Sequence, residues 1–345
     1  MLQPGTLRIK INLQVYEKTK KSWKKSKNTF PEAKKVIKLF KAHKNFDFLI
    51  DKKDSRFLKG QLSEGKEQGA RINILPDGRK LDKAYSLFAK NLCVHDQTSN
   101  EHWDVIYQNK GGTYSYVYTL DKKAKAKDRK YKKVKAFEKV YPILKKKVTS
   151  ALRNKEDYMA LPMYTLLKTH IRVGNEIYYK AHKHKGLATL KKKDIKIVGN
   201  DVVFDFIGKD GVPINIRKTF PASYVKRLKA CLKKCKDYVF VSDRGHVLND
   251  HMFKLAFRNY CGKEFYPHII RSYYATAKAK EFLKEHRKCT KDEMNLFFLS
   301  VAQGLGHKKF SKKSGLWEDS FTVTLNHYIE PNLVEKIKSK ALNTK

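Results

Sequence analysis

The sequence predicts an α+β protein with a small, turn-rich N-terminal lobe and a larger, mainly helical C-terminal lobe. Three observations predict it. The chain has 345 residues, more than one ordinary domain uses, and 41% of them are hydrophobic, enough for a sizeable core. Gly65, Gly69, Pro76-Asp77-Gly78 and Gly111-Gly112 punctuate the region between residues 46 and 120. Beyond it, apolar residues recur mostly at helical spacing. These features divide the chain into a basic N-terminal extension (1–45), an N-terminal domain (46–122) and a C-terminal domain (123–345).

Residues 7–15 read as a short strand, and the lysine-rich run 18–27 as a solvated, partly flexible basic segment. Two strands, 103–107 and 113–118, flank Gly111-Gly112. In the second, Tyr114, Tyr116 and Tyr118 share one face. Such a face suits stacking on sugars and hydrogen bonding to phosphates as well as it suits a half-buried core, and both readings stay open. Residues 121–147 read as a linker running into a helix, with Val134, Phe137, Val140, Tyr141 and Leu144 at helical spacing. Residues 201–216 break the helical pattern: alternating apolar positions flank Gly208-Lys209-Asp210-Gly211, a hairpin signal. The next helix starts at Pro221, with Val225, Leu228, Leu232 and Cys235 as its apolar stripe.

Charge narrows the function. Lys and Arg number 76 against 34 Asp and Glu, a formal net charge of +42. Residues 1–45 carry 13 basic against 2 acidic side chains, and residues 121–147 carry 13 against 3. So basic a chain calls for a polyanionic partner, nucleic acid ahead of an anionic membrane surface. No apolar run approaches the ~18 residues that span a bilayer. The N-terminus alternates instead of forming a signal-peptide core, so an intracellular protein with no membrane partner is expected.

Five cysteines in so long a chain argue against a disulfide scaffold. Cys231 and Cys235 have neither a second pair nor a nearby His pair to complete a zinc site, and no metal is expected. Residues 60–67, Gly-Gln-Leu-Ser-Glu-Gly-Lys-Glu, approach a phosphate-binding loop. Glu67 stands where Ser or Thr must hold magnesium, so nucleotide hydrolysis is not expected.

Cutting a phosphodiester without a metal takes a nucleophile, cationic donors for the developing charge and a proton donor for the leaving oxygen. Arginine suits the second task because its planar fork binds two phosphate oxygens at once. The second half of the chain offers such a set. Arg172 lies in Ile171-Arg172-Val173-Gly174-Asn175, followed by Tyr178 and then Gly186-Leu187-Ala188-Thr189-Leu190. Lys209 sits at the hairpin tip, and Arg271 in His268-Ile269-Ile270-Arg271-Ser272-Tyr273. His307 ends Gly304-Leu305-Gly306-His307, and Tyr328 lies in Asn326-His327-Tyr328-Ile329-Glu330-Pro331. Singly, each has a plainer explanation: a surface arginine, a turn lysine, a helix-capping histidine, an ordinary tyrosine. Tyr328 is, however, the only tyrosine after Tyr274.

In this order and spacing the motifs resemble the type IB DNA topoisomerases, of the compact kind found in poxviruses, other large DNA viruses and some bacteria. The likeness runs from Arg172 to Pro331, and more weakly upstream through residues 113–118 and Lys127-Asp128-Arg129. The resemblance implies a two-lobed, C-shaped clamp on double-stranded DNA, hinged near Asp121, with a catalytic lobe of the tyrosine recombinase/topoisomerase IB type. It implies a monomer that needs neither ATP nor metal nor another cofactor. It implies that Tyr328 attacks the scissile phosphate to give a 3′-phosphotyrosyl link and that Arg172 and Arg271 bind the non-bridging oxygens. His307 adds a hydrogen bond there, and Lys209 protonates the leaving 5′-oxygen. Tyr116, Tyr118, Lys127, Tyr178 and His268 are the further DNA contacts expected. For a viral protein the expected locations are the virus factory in the host cytoplasm and the virion, with the nucleus and a bacterial cytoplasm left open.

Two features depart from the compact topoisomerases. The gap from His307 to Tyr328 is 21 residues, longer than they usually show. Its lysine- and serine-rich segment 308–320, with Gly315 and Trp317, is expected to be a flexible loop that carries Tyr328 into place. His268 stands three residues before Arg271, where those enzymes more often carry Lys. His-x-x-Arg is instead typical of tyrosine recombinases, which makes site-specific strand exchange the alternative reading. A non-enzymatic DNA-packaging or RNA-binding protein is a third, supported by charge alone.

Overall fold

A computed structural model describes residues 2–95 and 102–342. The chain is α+β and forms two compact units, Met1–Arg129 and Lys130–Lys345.

The first unit opens with strands β1 (Leu7–Ile9), β2 (Val15–Lys18) and β3 (Trp23–Lys25), then helix α1 (Pro31–Ala42). β4 (Gln61–Ser63) and β5 (Lys66–Gln68) complete a five-stranded sheet in the order β3-β2-β1-β4-β5. β6 (Ile72–Ile74) pairs with β7 (Lys80–Tyr85), and β8 (Lys90–Val94), β9 (Val105–Gln108) and β10 (Tyr114–Val117) form a three-stranded sheet. The first 45 residues are thus an integral part of this unit and not an extension. Ala33, Val36, Ile37 and Phe40 fall at i, i+3, i+4 and i+7 of α1 and are fully buried beside Ile9 and Val15. Residues 60–67 form the β4–β5 hairpin with no helix behind it, so the near phosphate-loop is a turn. Tyr114 pairs with Gln108 and Tyr116 with Ile106 across β9–β10. Tyr114 and Tyr116 face solvent while Val117 on the opposite face is buried, so the tyrosine face is not core.

The unit boundary falls within helix α2 (Leu120–Ala151). Residues 121–147 are therefore helical throughout: the helix expected around Val134–Leu144 extends back over the segment expected as linker. In the second unit Phe137 of α2 meets Phe257, Phe265 and Tyr273 edge-on at 5.1–5.9 Å between ring centres. Helices α3 (Ala160–Thr169) and α4 (Glu176–His182) precede the antiparallel sheet β11 (Ile195–Val198), β12 (Asp201–Ile207) and β13 (Pro213–Thr219). Pairing runs unbroken from Asp201↔Thr219 to Ile207↔Pro213 and leaves residues 208–212 as the tip, with Gly208–Gly211 in the turn that the sequence predicts. Then come α5 (Ala222–Lys234), with Pro221 as N-cap, α6 (Asp250–Cys261) and α7 (Ile269–Glu285).

β14 (Cys289–Thr290) leads into α8 (Lys291–Gly304). β15 (Lys308–Phe310) and β16 (Trp317–Asp319) follow, then α9 (Thr322–His327), α10 (Pro331–Lys340) and β17 (Ala341–Leu342). Residues 308–320 are consequently an antiparallel hairpin, with Lys308↔Asp319 and Phe310↔Trp317 in register, in place of the expected flexible loop. Three-residue strands among lysines and serines give too short an alternation to be read as strands. A separate core of Ala275, Phe282, Phe298, Val301, Val334 and Ile337 joins α7, α8 and α10 around residue 328. Among the described residues no helix is long and apolar enough to cross a membrane.

Candidate active site

Backbone packing positions Arg172. α3 ends at His170, which takes a left-handed conformation (φ 56°) and turns the chain into the extended run 171–173. Residues 186–188 lie alongside it: Leu187 N donates to Arg172 O and Ala188 N to Val173 O, both at 2.8 Å. The contact is so close that a Cβ on Gly186 would stand 2.6 Å from Arg172 O and from the backbone of Gly174. The two motifs are therefore two sides of one contact, and glycine is required at 174 and 186 because only hydrogen fits. Lys185 N then donates to Ile207 O at 2.8 Å, which ties this segment to the β12–β13 hairpin. A small cleft results, lined by Ile171, Arg172, Gly208, Lys209, Arg271 and Leu305.

Arg271 projects from the first turn of α7 and is buried. It donates through Nη1 to His170 O and through Nη2 to Leu305 O at 2.8 Å and His307 Nε2 at 2.9 Å. Its Nε is buried with no protein partner, so one donor of the fork is uncommitted. Arginine only donates, so His307 Nε2 accepts; its proton then sits on Nδ1, directed at Thr324 Oγ1 2.7 Å away. Burial first, and then the charges of Arg271 and Arg172, push the His307 imidazole down to about 3, which keeps it neutral. In this arrangement His307 holds Arg271 and does not present a free donor.

Tyr328 sits where α9 ends, with Pro331 fixing the start of α10 three residues on. Its turn is tethered to α2: Lys130 Nζ donates to His327 O, Tyr131 Oη to Ile329 O at 2.6 Å, and Lys135 Nζ pairs with Glu330 at 3.0 Å. Arg172 Nη2 donates to the phenol oxygen at 3.2 Å. The Arg271 guanidinium lies 5.2 Å from the ring centre, and the His307 ring 4.7 Å. Burial alone raises this phenol's pKa. The charges of Arg271 and Arg172, with the hydrogen bond from Arg172, outweigh it and hold Tyr328 below the ordinary tyrosine value. Tyr131, Tyr224 and Tyr260, whose buried oxygens bond to a carbonyl, a hydroxyl and a carboxylate instead of a guanidinium, are pushed up. A phenol poised toward phenolate between two guanidinium groups is equipped to be a nucleophile toward an anion that those groups also bind.

Of the residues singled out from sequence, Arg172, Arg271, His307 and Tyr328 converge, and Lys209 lines the cleft with Arg172 and Arg271 while its side chain stays exposed. His268 keeps solvent exposure, yet its ring lies 5.3 Å from that of Tyr328. Desolvation of its inner side and the charges of Arg271, Arg172, Lys130 and Lys209 lower its pKa. Tyr178 stands outside this cluster, 66% exposed on α4. Tyr116, Tyr118 and Lys127 belong to the first unit; Tyr116 and Lys127 are exposed there, and Tyr118 is half-buried. Sequence reasoning missed three residues. His170 holds Arg271 through a backbone oxygen, which carries no side-chain signal; its place directly before Ile171-Arg172 is the one available hint. Thr324 orients His307, and Lys130 caps the Tyr328 turn; neither is signalled by any motif. Cys231 and Cys235 are free thiols, and among the described residues no cluster of three or more His, Cys, Asp or Glu is placed to hold a metal.

The DNA topoisomerase 1B of Acanthamoeba polyphaga mimivirus is 28% identical over 212 residues, which cover 55% of this chain and 62% of that protein. The chain thus spans less than two-thirds of that relative's length. Among solved structures, XerH site-specific recombinase bound to difH substrate in a pre-cleavage complex is 16% identical, with 47% of this chain and 44% of that chain covered and a TM-score of 0.31. A post-cleavage complex with palindromic difH covers 56% of this chain and 50% of that one at 16% identity and a TM-score of 0.33. Overlaps this partial carry no argument. The model of the family described as eukaryotic DNA topoisomerase I, catalytic core, matches residues 120–338, a span that holds the four converging residues and Lys209. The chain belongs to that family, the type IB DNA topoisomerases.

Proposed function

We propose that this protein relaxes supercoiled duplex DNA by cutting and resealing one strand through Tyr328. The carrying observation is the Arg172 Nη2 contact to the Tyr328 oxygen at 3.2 Å, with buried Arg271 on the same ring and the phenol's pKa held down despite burial. The Tyr328 oxygen attacks the scissile phosphorus and a 3′-phosphotyrosyl bond forms. Arg172 and Arg271 bind the non-bridging oxygens as charge builds. His307, neutral and fixed by Thr324, keeps the Arg271 fork in place and acts on the phosphate through that arginine. Lys209 at the hairpin tip gives a proton to the departing 5′-oxygen, and the reverse steps reseal the strand. One phosphodiester is exchanged for another, so neither ATP nor a metal ion is needed to drive the cycle. The exposed faces of Tyr116, Lys127 and Tyr178 fit the sugar–phosphate backbone.

The test is relaxation of a supercoiled plasmid in EDTA without ATP by the purified chain. Activity is expected in the native protein. Tyr328→Phe is expected to abolish it while leaving DNA binding intact, and activity in that variant removes Tyr328 as the nucleophile. A second reading, tyrosine recombinase, is favoured by one observation, the His268 ring against Tyr328. It requires paired sites and strand joining between duplexes, which the same preparation can be assayed for.

A further inference from the structure

The hairpin of β15 and β16, inserted between His307 and Tyr328, has no part in the mechanism above, yet its position is defined. Its base is closed by Ser320 N donating to His307 O at 3.3 Å and by Gln303 Nε2 donating to Asp319 at 2.8 Å. Across the strands Phe310 and Trp317 meet edge-on at 5.5 Å. Trp317 then reaches the turn that carries Lys209: a Cβ added at Gly211 would meet Trp317 Cζ2 at 3.8 Å and His184 Nε2 at 3.9 Å.

That turn is weakly held by its own backbone. Asp210 and Gly211 both take left-handed conformations, at φ 62° and 79°. Gly208 N donates to Val212 O at 2.8 Å, but the bonds inside the turn, Gly211 N to Gly208 O and Val212 N to Lys209 O, lengthen to 3.2 and 3.4 Å. A lysine side chain on such a turn has many rotamers, and a proton donor is effective only within hydrogen-bond reach of its acceptor.

We propose that the β15–β16 hairpin braces the Lys209 turn, with Trp317 as the positioning residue that holds Lys209 toward the leaving oxygen. The inference rests on the reading of Lys209 as proton donor. In the step concerned Tyr328, ionised with its proton released to water, bonds through its oxygen to phosphorus, the bond from phosphorus to the 5′-oxygen breaks, and the Lys209 ammonium gives its proton to that oxygen and recovers it on resealing. Trp317 touches no reacting atom. Its loss lets the turn wander and slows only the steps that need the proton.

The experiment is single-turnover cleavage of two duplexes, one with the natural 5′-bridging oxygen and one with sulfur there. A thiolate leaves without protonation, so the sulfur substrate bypasses the donor. Lys209→Ala is expected to be slow on oxygen and restored on sulfur. Trp317→Ala is expected to lose on the order of tenfold on oxygen, the scale of a misplaced catalytic group, and to match the native protein on sulfur. Trp317→Phe should recover most of the oxygen rate. Trp317→Leu, which keeps apolar bulk beside Phe310 should the alanine variant lose the hairpin, should show the same split as Trp317→Ala. Equal losses on both substrates, or no loss on either, overturn the role of Trp317. If Lys209→Ala is not restored by sulfur, the assignment of Lys209 fails instead, and the brace fails with it.

Discussion

A phenol taken out of water resists ionisation, and Tyr131, Tyr224 and Tyr260 obey that rule here. Tyr328 breaks it because two guanidinium groups sit on its ring and oxygen. The prediction belongs to that residue. Subtracting the alkaline ultraviolet titration of Tyr328→Phe from that of the native protein should isolate one tyrosine ionising below 10, and Arg172→Ala should move it upward. The sign follows from charge: removing a cation disfavours the phenolate. A Tyr328 titration above 10 in the native protein contradicts the electrostatics described. At this scale the sequence was informative about Arg172, Arg271, His307 and Tyr328, because their chemistry lies in the side chain and their motifs keep order. It was silent on His170 and Thr324. One acts through a backbone oxygen and the other orients a partner 17 residues away, and neither kind of contact has a local pattern.

Among the elements, the meeting of residues 171–174 with 186–188 sets the distance between Arg172 and the Lys209 hairpin. Gly186→Ala introduces a methyl 2.6 Å from three backbone atoms. It should cost about 1–3 kcal/mol of stability, the usual price of overpacking. It should also lower the cleavage rate by more than it lowers DNA affinity, because Arg172 is displaced. Chemical denaturation and single-turnover cleavage check the two parts, and an unchanged cleavage rate contradicts the positioning role. The β12–β13 hairpin was legible from alternation around a glycine pair. α1 was overlooked although Ala33, Val36, Ile37 and Phe40 keep helical spacing, because Lys34, Lys35, Lys38 and Lys41 give the segment the composition of a basic tail. The β15–β16 hairpin was read as a loop for the same reason: charge at its exposed positions hid two short strands.

For the whole molecule, a net charge of +42 makes the proposed DNA binding one that counterion release should dominate. Lys127→Ala, on an exposed position of α2, should lower the slope of log affinity against log salt by about one and weaken all sequences alike. A loss confined to one sequence points to base contact instead. The α+β class was readable from glycine punctuation and helical spacing. The division between the units was not, because it falls inside a continuous helix whose basic N-terminal half reads as linker.

The proposed mechanism requires the Tyr328 oxygen to become covalently bound to the 3′-end of a cut strand. Incubation with duplex DNA, denaturation in SDS and peptide mapping of the trapped adduct by mass spectrometry test it most directly. A nucleotide phosphate on the peptide containing Tyr328, with a free 5′-hydroxyl on the released strand, is the predicted result. An adduct on any other residue, or linkage to a 5′-phosphate, contradicts it.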